Sequence, residues 1–139
     1  MKKNCFCCEN GVDKLRKMHI ESLKKFGWYA HYIEDDKNFP FNINFHTHGL
    51  NKFDHLDLQE CLPIDVKIIH QIFFEIIDRI KNKEKFYENK KYSNIIKEFD
   101  VIFISVVEDN RNVLRLILPD SLGNLDVDKM EERYRKQYD

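Results

Sequence analysis

A run of isoleucines constrains this chain more than any other feature. Ile64, Ile68, Ile69, Ile72, Phe73, Ile76, Ile77 and Ile80 repeat at the period of an α-helix. Pro63 stands at the helix start, where a missing N–H does no harm. Asp65 falls in the first turn, where its charge complements the helix dipole. The spacing predicts a helix over 63–81. An apolar stripe this broad cannot face water, and must lie on a sheet.

The flanking segments supply that sheet. Val12, Leu15, Met18 or His19, Leu23 and Phe26 have helical spacing, and Gly27 supplies the stop, so a first helix covers about 12–26. Trp28–Ile33 is rich in strand-forming aromatics, and Phe41–His48 alternates polar and apolar residues as a half-buried strand does. The two are expected to pair antiparallel. Gly49 marks the end of the second strand or a bulge in it, Phe53–His55 a turn, and Leu56–Cys61 a short third strand. Lys81–Lys97 reads as a charged connection with a brief extended piece near Tyr92. Phe99–Val107 is apolar on both faces, as a central strand would be. Glu108–Arg111 turns it back into Val113–Leu118, and Pro119–Asn124 breaks the pattern. Asp126–Tyr138 is a charged terminal helix by its composition. The expected architecture is a single α+β domain over 11–139. It has a mostly antiparallel sheet of about four to five strands, the 63–81 helix packed on it, and N- and C-terminal helices. Residues 1–10 form a flexible, Cys-rich lead.

Composition excludes several classes. With 139 residues, 42% hydrophobic and 34% charged, the chain suits one globular domain rather than a disordered one. Lys+Arg at 23 against Asp+Glu at 24 leaves a net charge of -1, so no basic excess exists to neutralise a nucleic-acid backbone. The start, Met1-Lys2-Lys3-Asn4-Cys5-Phe6-Cys7-Cys8, lacks the apolar stretch of a signal peptide, and Val101–Val107 is too short to span a bilayer. A cytoplasmic location is the expectation, with the cysteines as thiols or metal ligands. The richness in Lys, Asn, Ile and Phe is that of an AT-rich bacterial genome.

Chemistry concentrates on one strand. If Phe41–His48 is extended, then Asn42, Asn44, His46 and His48 line one face, and two imidazoles at i and i+2 can converge on one metal ion. A divalent ion such as Zn²⁺ needs three or four ligands. His55 or Asp54 in the following turn, or His31 across the sheet, would supply the third. The other reading is that these histidines hydrogen-bond locally and hold the turn at Gly49. Cys5, Cys7 and Cys8 form a second candidate set, although Cys-Phe-Cys-Cys lacks the spacing of a zinc knuckle. Cys61 could pair with His46, His48 or His55 as thiolate and imidazole, but beside a helix start it reads as a packed thiol. His70 lies among core positions, His19 on a helix surface, and Trp28 with Tyr29 and Tyr32 in edge and core packing. The chain has no phosphate-binding glycine loop and no nucleophile elbow.

Gly27-Trp28-Tyr29-Ala30-His31, Asn44-Phe45-His46-Thr47-His48-Gly49-Leu50, His55-Leu56-Asp57-Leu58-Gln59 and Arg115-Leu116-Ile117-Leu118-Pro119-Asp120-Ser121-Leu122-Gly123 stand in this order after the Cys-rich start. Together they resemble a small bacterial family of unknown function, from Cys5 to about Tyr138. The resemblance carries no activity. It implies that His31, His46, His48 and His55 belong together, with Asp57 and Gln59 able to join them. Two readings follow. One is a His-lined polar cleft that binds a divalent metal or a small polar ligand; if it is an enzyme, metal-assisted hydrolysis is the mildest choice. The other is a non-catalytic interaction or homo-oligomerisation module with structural histidines.

Overall fold

Gly27 turns the first helix into the sheet. The structure, a computed structural model, describes residues 12–34, 37 and 39–139; Cys5, Cys7, Cys8 and the whole 1–10 lead lie outside the described residues. Helix α1 spans Val12–Phe26. Gly27 follows at φ +84°, and a Cβ there would lie 2.8 Å from Cζ of Phe53, so backbone and space both select glycine.

Among the described residues five strands follow: β1 (Tyr29–Glu34), β2 (Ile43–His48), β3 (Leu58–Glu60), β4 (Ile102–Glu108) and β5 (Arg111–Ile117). They form one sheet in the order β1-β2-β3-β5-β4. Every pairing is antiparallel except β3 with β5. This is the α+β architecture expected from the pattern. β2 is shorter than the alternation suggests, because Asn42 takes φ 60° and breaks the extended run. The β4–β5 turn is tight: Asp109 and Asn110 have φ 48° and 65°, the paired left-handed geometry that a two-residue hairpin demands.

Helix α2 spans Val66–Lys81 and starts later than the isoleucine run implies. Asp65 is its N-cap, accepting the Lys67 N–H at 2.8 Å, while Pro63 and Ile64 precede it. Ile69, Phe73, Ile76, Ile77 and Ile80 are buried against the sheet. Phe73 meets Phe45 of β2 edge-on at 5.1 Å. Ile68 is 50% exposed. At 100° per residue it stands about 140° around the helix from Phe73, outside the arc that one sheet can cover. Trp28, Leu50, Phe86, Phe103, Leu114 and Leu116 complete this core. Tyr92 bridges Val101 through two backbone hydrogen bonds of 2.9 and 3.0 Å, the brief extended piece expected there.

The C-terminal segment departs from expectation. Instead of a helix over 126–138 it forms turns, a short helix α3 (Glu132–Arg135) and a 3₁₀ turn, Lys136–Tyr138. Asp120 pins it: its carboxylate accepts N–H groups from Leu122, Asn124 and Glu131, which together hold it below the usual carboxylate range. The buried amide of Gln137 pairs with the backbone of Leu118, accepting its N–H at 2.8 Å and donating to its carbonyl at 2.9 Å. The segment therefore covers part of the sheet face opposite α2, packing Leu125, Met130 and Tyr138 on Ile102, Ile104 and Ile117. This explains why β4, apolar on both faces, is an edge strand and not the central one its composition suggests.

On the α2 side, β3 buries a carboxyl. Glu60 pairs with Phe45, is almost wholly buried and accepts the Leu62 N–H at 2.6 Å. Desolvation pushes it up to about 8.

Two outcomes follow for stability. Phe73→Ala is expected to cost about 3–5 kcal/mol in urea unfolding, and the exposed Ile68→Ala less than about 0.5 kcal/mol; equal losses would place the buried arc elsewhere. Glu60 holds its proton more tightly when folded than when unfolded, where it titrates near 4.5. Its contribution is full below pH 4.5 and is lost as pH rises to about 8. Glu60→Gln should gain on the parent protein through that window in midpoint measurements, and a constant difference across it would refute the assignment.

Candidate functional site

Alternation along the strands puts a polar row on the face away from α2. His31 of β1 pairs with His46 of β2, His46 with Gln59 of β3, and Gln59 with Arg115 of β5. Cross-strand partners share a face, so these four side chains stand side by side across the sheet. Beside His46 on β2 lie Asn44 and His48. Where the C-terminal segment stops, this face opens into a cleft of about 540 Å³, lined by His31, Asn44, His46, His48, Glu108 and Arg115 among others.

His46 is central and buried. Its Nδ1 lies 3.0 Å from Asn44 Oδ1 and 3.6 Å from Glu108 Oε2. Nδ1 is thus within hydrogen-bond distance of Asn44, with the Glu108 carboxylate just beyond that range. The His31 ring is 5.3 Å from that of His46 between centroids, and the His48 ring 4.9 Å. His48 also stacks on Tyr29 at 5.0 Å.

Glu108 is fixed in turn. Gln59 donates to its Oε1 at 2.7 Å and Arg111 to its Oε2 at 3.2 Å. Gln59 Oε1 accepts from Arg115 Nε at 2.6 Å, so one amide joins an acid on β4 to a base on β5. Arg111 further donates to Asp57 at 2.9 Å and to the Thr47 carbonyl at 3.1 Å. Asp57 accepts the Thr47 hydroxyl at 2.9 Å and the Leu50 N–H at 3.2 Å, while Thr47 Oγ1 accepts the Leu58 N–H at 3.0 Å. Asp57 thus closes the turn between β2 and β3 and, with His48 and His55, lines a second cavity of about 500 Å³.

His31, His46 and His48 come together as expected, with Asn44 and Gln59. His55 does not. Its Nδ1–H donates to the Leu56 carbonyl at 2.8 Å and its Nε2 accepts the Phe86 N–H at 3.0 Å, so both nitrogens hold the backbone. Burial holds its imidazole below the usual histidine range. Among the described residues no group of three His, Cys, Asp or Glu could hold a metal ion. Cys61 is buried and its thiol is pushed up to about 12 by desolvation, an inert packed group rather than a thiolate. His70 packs against Phe74 at 4.8 Å and Trp28 at 6.0 Å, with its charged form disfavoured by burial.

Glu108, Arg111 and Arg115 belong to the site and were not among its candidates. Glu108 and Arg111 flank the Asp109-Asn110 turn and look like turn charges. Arg115 carried a signal: it is the one charge inside Val113–Leu118, otherwise apolar and central in the sheet.

The amide bridge generates a direct test. Gln59→Leu leaves Glu108 Oε1 and Arg115 Nε without their partner in a buried setting, and should cost about 2–3 kcal/mol in denaturant unfolding; a change under about 0.5 kcal/mol would mean water replaces the amide at no loss.

Among the described residues no helix is long and apolar enough to cross a membrane. No curated protein and no solved structure matches the chain significantly. A family model does match, over residues 22–127, a span from within α1 through all five strands to the turns after β5. The chain therefore belongs to the family described as a domain of unknown function, DUF4262.

Proposed function

We propose that the chain binds a small polar ligand in the His31–His46–His48 cleft, with His46 at its centre. The observation that carries this reading is the pairing of His46 Nδ1 with Asn44 and Glu108. A carboxylate behind an imidazole fixes its tautomer, orients the ring and raises the basicity of the far nitrogen. A histidine needed only for packing has no use for an acid that Gln59 and Arg111 hold in place. The sheet face supports the same reading, since a patch of buried polar side chains stabilises less than an apolar one would.

Ring ¹⁵N shifts of the full chain should show His46 protonated on Nδ1 and unprotonated on Nε2 at pH 8; the opposite tautomer would sink the assignment. A thermal-shift screen of small polar compounds should give hits whose affinity falls at least tenfold in His46→Ala. Zinc content should be negligible in both the parent chain and a His46→Ala/His48→Ala double variant. Stoichiometric zinc lost in the double variant would make the metal reading the right one.

A further inference from the structure

We infer that the ligand is an uncharged, amphipathic small molecule. Its polar head lies in the His31–His46–His48 cleft, and an apolar chain passes His48 into the second cavity. This rests on the cleft being a ligand site and adds the ligand's shape and class.

The two spaces are neighbours along the strands. From Asn44 through His46 to His48, β2 carries the cleft to its own last residue, and the second cavity takes over there, with Gly49 beyond the strand end. His48 lines both. The register places Arg111, the first residue of β5, at the same end of the sheet. Arg111 donates to Glu108 in the wall of the cleft and to Asp57 in the wall of the second cavity. It therefore marks on β5 the boundary that His48 marks on β2. At about 540 and 500 Å³, each space is the size of a small-molecule site.

By residue names the second cavity is polar, since His55, Asp57 and Arg111 all line it. Those polar atoms are already engaged. Both His55 nitrogens hold the backbone, at the Leu56 carbonyl and the Phe86 N–H. Asp57 Oδ1 accepts the Thr47 hydroxyl and the Leu50 N–H, and its Oδ2 accepts from Arg111. The surface left for a ligand is largely carbon, above all the Leu56 side chain, 43% exposed in the midst of these groups. Asn51 and Asn112, both exposed, add carboxamides at the rim.

Charge points to a neutral molecule. Arg111 pairs with Asp57 and Glu108, and Arg115 is bonded to Gln59 and to the backbone oxygens of Gln137 and Asp139. Asp109 is exposed at the hairpin turn. Among the described residues these opposing charges are matched, so a formal charge on the ligand gains little from them. An apolar chain gains about fourfold in affinity for each methylene removed from water.

The test uses the full chain at pH 8 with 1,2-propanediol, 1,2-hexanediol and the isomer 1,6-hexanediol, following the His46 ring signals and the Leu56 methyl signals. 1,2-Hexanediol should shift both reporters saturably and bind at least tenfold more tightly than 1,2-propanediol. 1,6-Hexanediol, which puts a hydroxyl at the far end, should bind no more tightly than 1,2-propanediol. Leu56→Ser, at an exposed position, should bring 1,2-hexanediol back to the affinity of 1,2-propanediol. Equal affinities of the three diols, or a chain-length gain that survives in Leu56→Ser, overturn the two-part assignment and leave the cleft as a ligand site. So does 1,2-hexanediol moving one reporter without the other, which would make the two spaces separate. If no diol moves either reporter, the amphipathic assignment falls, and the cleft itself is decided by the compound screen.

Discussion

The sheet depends on a strand of three residues. β3 joins the β1–β2 pair to the β4–β5 pair, and its ladders are short: Phe45 with Glu60 and His46 with Gln59 on one side, Leu58 with Leu114 and Gln59 with Arg115 on the other. So few backbone bonds are a weak seam. Side chains reinforce it on both faces. Towards α2, Leu58 is fully buried in the main core. On the other face, Gln59 ties β4 and β5 through Glu108 and Arg115, and Asp57 ties β2 and β5 through Thr47 and Arg111. The cleft and the seam share the same residues, so disturbing the polar face disturbs the sheet.

How much of this could be read from the sequence depends on what each element answers to. α2 and β1–β2 answer to local periodicity, and both were legible because burial on one face writes a period into the residues. β4 was legible as a strand but not in its place. Apolar residues on both faces report only that both are covered, and a distant segment through Leu125 and Met130 covers the second face as well as a helix would. The last stretch answers to Asp120 and Gln137, whose side chains bond backbone several residues away. Those bonds compete with helix formation and have no periodic signature.

The site divides along the same line. His31, His46 and His48 were readable because pairing in a two-strand register is nearly local. His55 stands apart from that row because its Nε2 takes the Phe86 N–H, 31 positions on. Glu108 and Arg115 reach His46's neighbourhood only through the parallel β3–β5 contact, which crosses from residue 59 to 115.

Arg111 and Arg115 show why their placement matters more than their charge. Both stand on β5, four residues apart and on the same face. Arg111 sits at the strand end, partly exposed, between two carboxylates, where its charge is cancelled and serves to lock the β2–β3 turn. Arg115 sits mid-strand and buried, bonded to an amide and to backbone oxygens. Those bonds fasten the C-terminal segment to the β3–β5 seam, so one buried guanidinium holds both together.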